Sequence, residues 1–89
     1  MGFFSSDKKI THEEFRRALS HLREHGFAEG QMHEIENLFY ADLNEGGSGA
    51  GISADELKKE IHYLKEHPER HHLSGEQIGK LEEALKHYL

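Results

Sequence analysis

Two stretches of this chain, Ile10-Thr11-His12-Glu13-Glu14-Phe15-Arg16-Arg17 and Ile52-Ser53-Ala54-Asp55-Glu56-Leu57-Lys58-Lys59, follow one pattern. Each runs isoleucine, hydroxyl residue, acid, apolar residue, then a basic pair. A hydroxyl followed three residues later by Glu is a capping box. The hydroxyl accepts the third helical N–H, and the Glu reaches back to the N–H of the capping residue. Both stretches therefore predict a helix start. Ser74-Gly75-Glu76-Gln77 supplies a third box, with Gln in place of Glu.

Four helices follow from these starts. Phe15, Leu19 and Leu22 form an i, i+4, i+7 stripe behind Thr11, and the helix should stop near His25-Gly26. A second helix begins near Ala28–Gly30, carries Met32, Ile35, Leu38 and Phe39, and ends around Asp42–Asn44. Leu57, Ile61 and Leu64 mark the third helix, closed at His67 because Pro68 pushes its predecessor out of the helical region. Ile78, Leu81, Leu85 and Leu89 mark the fourth.

The likeness of the two stretches extends outward. Leu22-Arg23-Glu24-His25 lies over Leu64-Lys65-Glu66-His67. Beyond an insertion, Pro68-Glu69-Arg70-His71, the residues Phe27, Gln31, Met32, Ile35 and Phe39 lie over Leu73, Gln77, Ile78, Leu81 and Leu85. The expected fold is all-α: four helices in two pseudo-repeated pairs that cross obliquely. The expected core is Phe15, Leu19, Leu22, Phe27, Met32, Ile35, Phe39, Ile52, Leu57, Ile61, Leu64, Leu73, Ile78, Leu81 and Leu85. We read 1–89 as one domain, with an N-terminal arm over 1–9 and a Gly-rich loop over 44–52.

Composition narrows function. The 89 residues hold 11 Lys and Arg against 17 Asp and Glu, a net charge of −6, and no Cys. Disulfides, thiolate metal sites and thiol nucleophiles are excluded. The scattered cations argue against nucleic acid, which wants clustered Lys and Arg. The longest apolar run, Leu38-Phe39-Tyr40-Ala41, is far short of the ~20 residues of a membrane span. The N-terminus lacks the apolar core of a secretory signal, so the expected location is cytoplasmic. Nine His are present. Protonating all of them would set 20 cations against 17 carboxylates, a net of +3.

The segment Ile35–Ile61 resembles an EF-hand. Leu38-Phe39-Tyr40-Ala41 leads into Asp42-Leu43-Asn44, then a Gly-rich turn, and Gly51-Ile52-Ser53-Ala54-Asp55-Glu56-Leu57 looks like the loop exit with its closing Glu. Lys9-Ile10-Thr11-His12-Glu13-Glu14-Phe15 looks like the exit of a second loop whose entering helix is missing, as in a permuted pair. The resemblance implies orthogonal packing and pairing of Ile10 with Ile52. It also implies a groove for an amphipathic partner helix, which here would be lined by Phe and Leu with an acidic rim that favours a basic partner.

The candidate calcium ligands are Asp42, Asn44, Glu45 and Glu56. Counting back from Glu56 over twelve positions leaves Gly47 and Gly49 where side-chain oxygens belong, and counting forward from Asp42 places Ser53 last. Only a 15-residue loop from Asp42 to Glu56 keeps both acids. In the N-terminal half-loop, Ser5, Asp7, Thr11 and Glu14 fall at ligand positions, but Phe3 stands first. Calcium takes about six to eight oxygens, so the leading expectation is a protein-interaction module independent of calcium. The alternative is a weak Ca²⁺ binder using the 42–56 loop. A homodimer through Phe3, Phe4 or a helix face is a further option.

Two other patterns carry chemistry. His21 and His25, four apart, share a helix face and could chelate a transition metal, with His67, His71 or His72 as a third ligand. Gly2 and Ser6 fit a myristoylation pattern, against the competing reading that Phe3 and Phe4 anchor the arm on the core. No nucleophile stands beside a base, so we expect no enzyme activity.

Overall fold

The computed structural model describes residues 8–44 and 51–89. The arm residues Gly2, Phe3, Phe4 and Ser6, and the candidate ligand Glu45, lie outside them. The fold is all-α, with four helices: α1 (His12–Glu24), α2 (Glu29–Leu43), α3 (Ala54–Glu66) and α4 (Gly75–Lys86). A 3₁₀ turn, Pro68–Arg70, joins α3 to α4.

The helices start where side chains satisfy their first N–H groups. Thr11 accepts from Glu14 N at 3.1 Å while the Glu14 carboxylate accepts from Thr11 N at 3.0 Å. Ser53 with Glu56 and Ser74 with Gln77 repeat this geometry. Helix α2 has half of such a box, because Ala28 has no side-chain acceptor. Gln31 Oε1 still accepts from Ala28 N at 2.8 Å.

Helix α1 ends in a Schellman motif. Phe27 N donates to Leu22 O and Gly26 N to Arg23 O, with Gly26 at φ +97°. Leu22 and Phe27, the apolar pair that accompanies such a motif, are both buried. The turn after α3 is held by one imidazole. His71 Nε2 donates to Leu64 O at 2.7 Å and Nδ1 accepts from Leu73 N at 3.0 Å, so the ring bridges both ends of the insertion as a neutral tautomer.

Helix α1 packs on α2 and α4, and α3 packs on α2 and α4. Every expected core residue is buried. Ile10, Ala18 and Leu43 are buried as well and were not expected. Leu43 continues the stripe one turn past Phe39. Ala18 lies beside Leu22 at the α1–α4 cleft, a position for a small side chain. Ile10 belongs to no helix. It is buried because its backbone pairs with Ile52 in an antiparallel bridge, with N–H to O bonds of 2.8 and 3.0 Å. Leu38 and Leu89, placed on the stripes by spacing, are only half-buried.

A second reciprocal contact joins α2 to α4. Gln31 Nε2 donates to Gln77 Oε1 at 2.8 Å, and Gln77 Nε2 donates to Gln31 Oε1 at 3.2 Å. Gln31 Nε2 also donates to His72 O at 2.7 Å. Next to it, Glu34 accepts from His72 N at 3.0 Å and pairs with His72 Nδ1 at 2.6 Å.

Candidate functional site

The Ile10–Ile52 bridge brings the start of α1 and the start of α3 together. Gly51 N donates to Asp42 O at 3.0 Å, which ties the approach to α3 to the last turn of α2. Gly51 has φ +125°, and a Cβ there would stand 2.9 Å from Ile10 O. Glycine is required at this point by both conformation and space.

The acids chosen from sequence meet at this junction in part. The Asp42 side chain and the charge of Lys9, from the chain entering α1, both act on the Glu56 carboxylate. Burial pushes Glu56 up, but the Ser53 backbone and hydroxyl, Asp42 and Lys9 outweigh it, and Glu56 lies below the ordinary carboxylate range. Asn44 turns away from the acids: its Nδ2 donates to Tyr40 O at 2.9 Å, which secures the last turn of α2. Among the described residues no three His, Asp or Glu side chains are grouped to hold a metal ion. Lys9 was not among the residues singled out from sequence. It precedes Ile10 in the first copy of the pattern, where Gly51 precedes Ile52 in the second.

A groove of about 290 Å³ lies between α1 and α2. Phe15, Leu19 and Leu43 form its floor, and Tyr40 stands on its rim beside Glu36 and Arg16. Phe15 meets Phe39 edge-on beneath it, with ring centroids 5.7 Å apart. Tyr40 is 65% exposed, the one large hydrophobic side chain so exposed among the described residues. Its signal was available: it follows Phe39 directly, so it points off the stripe whose other members are buried. The rim is mixed in charge rather than acidic.

The histidines sort differently from the spacing-based expectation. His21 and His25 do come together, with ring centroids 4.4 Å apart. His67 pairs with Glu69, His71 holds the turn and His72 pairs with Glu34, so none of the three expected partners joins them. His87 lines the same cleft from the end of α4, without forming a three-ligand group with them.

Compared with known proteins, the chain matches no family model, no curated protein and no solved structure. No helix among the described residues is long and apolar enough to cross a membrane.

Proposed function

We propose that this protein is a small interaction module without catalytic activity, independent of calcium, which holds an amphipathic helix against the α1–α2 groove. The exposure of Tyr40 above an apolar floor carries this reading. Aromatic residues that keep one wet edge are favoured contact residues at interfaces. The net charge of −6 favours a basic partner through long-range attraction, since the groove rim itself is mixed. The Lys9, Asp42 and Glu56 group supports calcium independence, because a cation from the chain itself lies near the acids.

We also read the architecture as a degenerate, permuted EF-hand pair. The mutual bonds of Ile10 with Ile52 and of Gln31 with Gln77 support this, since the alignment of the two halves superposes both pairs.

Binding of a Lys/Leu amphipathic helical peptide, followed by fluorescence anisotropy, tests the groove. Tyr40→Ala should weaken it by about tenfold, the loss of a modest interface contact. Added salt should weaken it further. Unchanged binding by Tyr40→Ala removes the groove from the proposal. Concentration-dependent self-association that Tyr40→Ala abolishes would replace the peptide with a second copy.

One observation favours the alternative, a weak Ca²⁺ site: Asp42 and Glu56 come together at the end of α2 and the start of α3, where an ion could bridge the two carboxylates. Calorimetric titration with Ca²⁺ decides this. Heat that disappears in Glu56→Gln would establish the ion site and overturn calcium independence.

A further inference from the structure

We propose that the cleft between the C-terminal ends of α1 and α4 binds a borderline transition-metal dication, Zn²⁺ or its neighbours, chelated by His21 and His25. His21 lies in the last turn of α1 and His25 is its C-cap, one turn further on. Their rings sit 4.4 Å apart, so one ion can reach a nitrogen on each with a small rotation of exposed side chains. Imidazole nitrogen suits Zn²⁺, Cu²⁺ and Ni²⁺, whereas Ca²⁺ takes oxygen donors.

The surroundings favour a cation independently of these two ligands. The cleft, about 480 Å³ in volume, is walled by the last turns of both helices, including Leu22 and His25 from α1 and Ala84 and His87 from α4. Helix C-termini carry a partial negative charge, and here two of them face one space. Glu83 adds a full negative charge to the same wall, opposed by Lys80. A third and fourth ligand come from water, since no three His, Asp or Glu side chains among the described residues are grouped to hold an ion. Open coordination positions of this kind leave the ion free to accept a donor from a bound molecule.

This site does not depend on the groove around Tyr40, and it separates from the Asp42–Glu56 pair by its donor chemistry. The test is thermal unfolding of the full chain in rising Zn²⁺, with Ca²⁺ in parallel. An ion bound only by the folded state raises Tm by roughly 5–10 °C for each tenfold rise in free Zn²⁺ above the dissociation constant. The rise should vanish in His21→Ala and in His25→Ala and persist in His33→Ala and His62→Ala, which remove exposed histidines elsewhere. A rise that persists without His21 and His25, or no rise in the unaltered chain, overturns the proposal. A second reading needs no variant: Cu²⁺ added below stoichiometry should broaden the ring proton resonances of His21 and His25 before those of His33 and His62. Uniform broadening of all four would count equally against it.

Discussion

At Gly51 the chain passes so close to Ile10 that a single added carbon would meet a backbone oxygen. The φ of +125° disfavours any other residue before that clash is considered. We expect Gly51→Ala to lose about 1–3 kcal/mol of stability, the usual cost of such backbone strain, as a drop in urea midpoint. Because Gly51 N also donates to Asp42 O, the same variant should loosen the Asp42–Glu56 contact. Tyr40 behaves in the opposite way. It is exposed and bears little packing, so Tyr40→Ala should change stability by less than about 0.5 kcal/mol while changing peptide binding. The two residues separate folding from function.

The helices are held at their ends, and their starts differ in a way that measurement can resolve. Thr11→Ala, Ser53→Ala and Ser74→Ala should each cost about 1 kcal/mol, because each removes an acceptor for one N–H group. Gln31 and Gln77 do two tasks at once, closing the caps of α2 and α4 and bonding each other. Their Ala variants should therefore be non-additive, with a coupling energy of about 0.5 kcal/mol or more in a double-mutant cycle. The capping part was legible at Gln77, where Ser74 announced the box. At Gln31 it was hidden, because Ala28 offers no hydroxyl. The contact between the glutamines was not legible at all, since nothing within one helix requires it.

For the whole molecule, stability should fall in acid. Burial raises Glu34, but hydrogen bonds from the His72 side chain and backbone and the charge of His72 outweigh it, leaving Glu34 below its ordinary 4.5. Glu56 is lowered likewise. A lowered folded pKa contributes stability that is present above the ordinary value and lost as pH falls through the folded one. Glu60 acts in reverse: burial raises it, with Lys59 opposing and Glu56 adding, so its contribution is lost as pH rises. Glu69 is lowered too, first by a hydrogen bond from its own backbone, so with three groups against one, urea unfolding should show a decline below about pH 4.5. Glu34→Gln should lower stability at pH 6 by under about 1 kcal/mol, since the pair is partly exposed, and the difference should close by pH 3.

What the chain's letters determined alone was local: the capped helix starts, the apolar stripes, the Gly26 stop and the break at Pro68. Each depends on residues three or four apart, whose geometry a helix sets before anything packs. The core followed because the stripes had to face one another, and it missed Ile10 because no periodicity governs an isolated residue. Tertiary structure decided the rest. Beyond the Ile10–Ile52 pairing, which the resemblance already implied, it joined Gln31 to Gln77, set Asp42 against Glu56 near Lys9, drew off His67, His71 and His72, and brought His87 to the cleft of His21 and His25. Those encounters depend on how four helices dock, and a docking angle is the sum of many weak packing contacts that no single stretch of sequence contains.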